Sequence, residues 1–92
     1  MRVHLLTFND AEVSRDEVLE AINRVSSVKN WIAFLPASIC LASELPAQSL
    51  AREIRQLMPT VHFLLVEIDQ TKKNGWLPRQ VWDFINRPQA VA

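Results

Sequence analysis

The chain has 92 residues, 49% of them hydrophobic, and its ten basic and ten acidic side chains cancel to zero formal net charge. That length makes one domain, because two cores of half the size would each bury too little surface to offset the entropy of ordering. The neutral balance removes the usual electrostatic footprint of a nucleic-acid binder and so disfavours a nucleic-acid partner, leaving only a local basic patch to serve one, and the lone Cys40 excludes an internal disulfide or a cysteine-based zinc cluster and suits a reducing compartment. No apolar run approaches the ~20 residues of a membrane span. Asn9-Asp10 interrupts the N-terminal apolar stretch too early for a signal peptide. A cytoplasmic protein with no membrane partner is expected.

Arg2 to Phe8 is apolar with β-branched and aromatic members and reads as a strand, β1, closed by Asn9-Asp10. Ser14-Arg15-Asp16-Glu17 is a capping box, flanked by Val13 and Val18 at the positions of a hydrophobic staple. The stripe Val18, Ala21, Ile22, Val25 carries helix α1 to about Ser26-Ser27. Trp31–Leu35 and Ile39–Ser43 are too short for helices and form a hairpin, β2 and β3, around Pro36-Ala37-Ser38. Helix α2 opens at Pro46, whose missing N–H costs nothing in a first turn, and stops at Pro59. Val61 to Ile68 is strand β4. A polar stretch through Asn74-Gly75 leads to a segment from Trp76 to Asn86 that starts like a helix at Pro78, and Arg87 to Ala92 reads as a frayed end.

Strand, helix, hairpin, helix, strand predicts an α+β fold, a β-α-β-β-α-β ferredoxin-like sandwich with a four-stranded antiparallel sheet and two helices on one face. Its core spans 2–68, with a tryptophan-bearing extension over 69–92. Both alternating sets of β1 and β4 are apolar, whereas a sheet with one wet face alternates polar and apolar. The second face therefore needs a cover, either the C-terminal segment or a second copy of the chain. A homodimer is expected.

Few residues suggest chemistry. Gly75 is the only glycine, which rules out a glycine-rich phosphate loop. Antiparallel β1 and β4 put His4 and His62 at opposite ends of the sheet, so they do not make one metal site. Asn9 and Asp10 leave β1 near His62, as a polar cluster for a metal or phosphate or as a side-chain-capped turn. Lys72 and Lys73, with Arg2 and Arg79, form either an anion patch or a solvated loop. Trp31, Trp76 and Trp82 are candidate base-stacking platforms or interface anchors, with core or interface packing favoured by the neutral charge, and Phe8 and Phe84 join them as candidate interface residues.

Leu5-Leu6-Thr7-Phe8-Asn9, the hairpin from Trp31 to Ser43, the step Ser43-Glu44-Leu45-Pro46-Ala47 and Phe63-Leu64-Leu65-Val66 together resemble small bacterial proteins labelled SinR-like. These are similar to the CRISPR-associated ferredoxin-like nuclease and to toxin-side ribonucleases. The resemblance implies the sandwich, a dimer and an accessory role beside mobile or defence genes. In the nucleases an aspartate at the end of β1 binds metal; the matching position is Asn9, with Asp10 one place later, and a neutral amide is a poorer ligand for a hard cation. The expected function is thus a non-enzymatic homodimeric module, antitoxin-like or defence-accessory, that binds a protein and needs no cofactor. The alternative is an endoribonuclease using Mg2+ at Asn9 and Asp10.

Overall fold

In the computed structural model, which describes residues 1–88, the chain runs β1 (Arg2–Phe8), α1 (Arg15–Asn23), β2 (Val28–Leu35), β3 (Ser38–Ser43), α2 (Ala47–Leu57), β4 (Phe63–Glu67) and α3 (Arg79–Asn86). The strands form one antiparallel sheet in the order β2-β3-β1-β4. The central position of β3 explains why five consecutive residues, Ile39 to Ser43, are buried: both of its faces are covered.

Helix α1 begins as its sequence dictates. The Ser14 hydroxyl oxygen accepts from the Glu17 N–H at 3.1 Å and the hydroxyl donates to the Glu17 carboxylate at 3.0 Å. The helix ends at Asn23, earlier than the apolar stripe suggests, because the Arg24 and Val25 N–H groups tighten onto Ala21 and Ile22 carbonyls. Val25 still packs in the core from that turn. Pro46 caps α2, whose Leu50 and Ile54 are buried without exposure.

These two helices cover one face of the sheet, meeting Leu6, Phe8, Ile39 and Leu41. The opposite face carries a second cluster in which Val81, Phe84 and Ile85 of α3 sit on Val3, Cys40 and Ala42. Of the two covers weighed from sequence, the C-terminal segment thus packs within its own chain. Of the end expected to fray from Arg87, the first two residues are held: the Arg87 N–H bonds the Asp83 carbonyl at 2.9 Å and Pro88 is buried, while residues 89–92 lie outside the described residues. Among the described residues no helix is long and apolar enough to cross a membrane.

Candidate functional site

Helix α3 reaches only part of its face. Its apolar residues Val81, Phe84 and Ile85 recur at one-turn spacing, and small partners, Cys40 and Ala42, let it approach the sheet closely. Its C-terminal end is tied down by the Gln70 side-chain amide, which donates to the Ile85 carbonyl at 2.6 Å. Burial pushes the Cys40 thiol up to about 11, so it stays protonated and behaves as a small apolar residue.

Beyond α3 the same face opens into a groove of about 370 Å³, with Leu5, Phe34, Cys40, Ile68 and Trp82 among its lining and Lys72, Lys73 and Trp76 around it. Cross-strand register extends this surface. Leu5 is opposite Val66, and Leu35, Ser38, Thr7 and Leu64 follow one another across the four strands. Leu35 shares this face because a register shift between Ala33 and Leu35 turns the chain at the end of β2. Leu35, Leu64 and Val66 are 46%, 59% and 40% exposed, and Trp76 is 99% exposed.

The aromatic residues singled out from sequence therefore divide. Phe8 and Phe84 are buried in the two core clusters. Trp31 is half-buried, with its indole N–H donating to Asn23 Oδ1 at 2.9 Å. Trp82 is half-buried beside the groove, and Trp76 alone among the tryptophans stands in solvent. Leu35, Leu64 and Val66 escaped the sequence reading. The two-sided apolarity of β4 was the available signal, but it does not say which side stays open.

At the end of β1, Asn9 makes the capped turn: its Oδ1 accepts from the Ala11 N–H at 3.0 Å. Asp10 is exposed beside it. His62 contacts the Glu12 carboxylate at 3.0 Å, which holds that carboxyl below the usual range. His4 is at the other end, opposite Glu67, as the antiparallel pairing requires. It is fully buried; its Nε2–H donates to the Leu45 carbonyl at 2.9 Å, and its Nδ1 has no hydrogen-bond partner among the described residues. Burial lowers its pKa, outweighing the Leu45 carbonyl and Glu67, which raise it, while Arg2 adds to the lowering.

Of the basic residues, Lys72 and Lys73 both line the groove, the Lys73 ammonium donating to the Gln70 carbonyl at 2.9 Å, and Arg2 pairs with Glu67 at 3.1 Å. Among the described residues no three His, Cys, Asp or Glu side chains converge as a metal-holding group. Comparison of the chain with protein families, with curated proteins and with solved structures finds no match.

Proposed function

We propose that this chain is a small cytoplasmic interaction module, acting as a homodimer and binding another protein through the open part of the α3-bearing sheet face. The observation that carries this reading is Trp76, 99% exposed beside a groove with an apolar floor. A large aromatic side chain held in water next to apolar surface is the composition of an interface anchor, since burying it on a partner recovers its hydrophobic free energy. The groove's residues are apolar apart from the lysine pair and a few polar groups, so a peptide with apolar anchors and an acidic flank fits it.

The core is proposed to be a ferredoxin-like sandwich extended by α3. In support, the element order through β4 is β-α-β-β-α-β and both inner strands pair antiparallel with their neighbours. The antitoxin-like or defence-accessory role rests on the resemblance given by the β1, hairpin and β4 sequences. The ribonuclease alternative is less favoured, because Asn9 Oδ1 is already engaged by the Ala11 N–H.

Panning a random peptide library on the wild type, with counter-selection on Trp76→Ala, tests the binding surface. Apolar peptides with acidic flanks that need Trp76 are the expected yield; peptides indifferent to Trp76 would move the site elsewhere. An assay with RNA and magnesium, with and without chelator, is expected to show no cleavage. Cleavage lost in Asp10→Ala would restore the nuclease reading.

A further inference from the structure

The two edges of the sheet are built differently. On β2 the edge is blunted: Lys29 is exposed, the register shifts twice, between Val28 and Asn30 and between Ala33 and Leu35, and Pro36 follows. These are devices that keep a strand from pairing with another chain. The β4 edge, Phe63-Leu64-Leu65-Val66-Glu67, contains no proline, no lysine and no register shift.

Main-chain geometry fixes what that edge offers. The Phe8 N–H donates to Ala37 on the β3 side, and Val3 accepts from the Ile68 N–H on the β4 side. Because hydrogen-bonded and non-hydrogen-bonded pairs alternate in an antiparallel ladder, Leu64 and Val66 turn their main-chain groups toward β1. Phe63, Leu65 and Glu67 turn theirs off the edge.

We propose that a second copy of this chain pairs with β4 through its own β4, antiparallel, across a twofold axis perpendicular to the sheet and centred on Leu65. This rests on the homodimer reading above and names its interface. In this register Leu65 opposes its own copy and Phe63 opposes the partner's Glu67, so each outward main-chain donor and acceptor of the strand is matched. The two four-stranded sheets become one continuous sheet. On the α3-bearing face, exposed Leu64 meets the partner's Val66, and Val66 meets the partner's Leu64.

Charge selects the same occupant. On the helix-covered face Phe63 lies in a groove of about 660 Å³ that Arg52 and Arg55 of α2 also line. The register brings the partner's Glu67 beside Phe63, into that arginine-lined groove. The two Glu67 side chains stand at opposite ends of the paired strands, so no acidic groups are forced together.

Three measurements test this. Light scattering at high micromolar concentration is expected to give twice the chain mass of 10.6 kDa. The variant Leu64→Lys with Val66→Lys, which opposes lysine to lysine across the axis, is expected to be monomeric with an unchanged circular dichroism spectrum. Leu64→Glu with Val66→Lys opposes unlike charges and is expected to return the dimer. Register is read by cysteine crosslinking. A Leu64→Cys chain mixed with a Val66→Cys chain is expected to form the mixed disulfide, because a non-hydrogen-bonded pair places Cα atoms about 4.5 Å apart. Either chain alone is expected to crosslink poorly, since the diagonal is about 7 to 8 Å. A wild-type dimer that survives the double lysine variant would overturn the β4 interface and keep the homodimer. A wild-type monomer at all concentrations would overturn both.

Discussion

On one face of the sheet, α1 and α2 bring Val18, Ile22, Leu50 and Ile54 to near-zero exposure, whereas on the other a single helix of eight residues covers Val3, Cys40 and Ala42 and stops. The difference follows from connectivity and size. Helices α1 and α2 are the crossovers that join the strands, so forming the sheet delivers them to the face they cover. Helix α3 is appended after the sheet is complete and measures only about 12 Å at 1.5 Å per residue. Four strands about 4.8 Å apart and several residues long present a larger area than that. The uncovered remainder, from Leu35 to Leu64, is therefore a consequence of the appended helix being short, and the open surface is located by what α3 fails to reach.

Removing α3 is expected to have the largest effect. Ending the chain after Thr71 exposes Val3, Cys40, Ala42 and Phe34 together and is expected to give insoluble or aggregated protein. A soluble truncated chain with an unchanged melting temperature would mean that the helix-pair face alone carries the fold.

Point truncations act on one face at a time. Phe84→Ala under α3 is expected to cost about 3 to 5 kcal/mol and Leu50→Ala under α2 about 2 to 5 kcal/mol, each through lost burial and a residual cavity. Urea denaturation followed by far-ultraviolet circular dichroism and by tryptophan fluorescence should show one shared transition in both variants. Two separated transitions in Phe84→Ala alone would make α3 an independently melting cover.

A smaller effect comes from His4, whose folded pKa lies below its ordinary 6.5 because it is buried. The unfolded chain then takes up the proton first as pH falls. The stability tied to neutral His4 is whole above about pH 6.5 and is lost as pH drops from there toward the folded value, by at most about 1.4 kcal/mol per pH unit. Urea midpoints between about pH 7.5 and 5 should fall less in His4→Gln than in the wild type; an equal fall would assign the acid sensitivity to other groups. Smallest of all, Trp76→Ala is expected to shift stability by no more than about 0.5 kcal/mol, because its side chain is in water. A larger loss would bring Trp76 into the cover and remove it from the open surface.

Much of this arrangement was legible in the sequence. The capping box at Ser14, the apolar stripe of α2 and the proline at its start, and the two-sided apolarity of β1 all report local rules, and local rules held. What stayed hidden depended on partners far along the chain. Strand β2 starts at Val28, three residues before Trp31, because Val28 and Asn30 pair with Ser43 and Ala42 of β3, with Lys29 the extra residue at the register shift between them. Strand β4 starts at Phe63 because the Val61 N–H turns back to the Met58 carbonyl instead of joining the sheet. The candidate surface was the least legible part: Trp76 and Trp82 are six residues apart and alike in sequence, yet only the packing of α3 decides that one lines a groove wall and the other stands in water.

Cys40 lies under α3 beside the groove, 1% exposed and protonated, so the seated helix shields its thiol from a reagent. Its labelling rate is consequently a clock for the lifting of that one helix. If α3 opens locally, the rate reports a free energy smaller than that of global unfolding. If it opens only with the whole domain, the two free energies coincide, and the native cysteine distinguishes these regimes without any engineered probe.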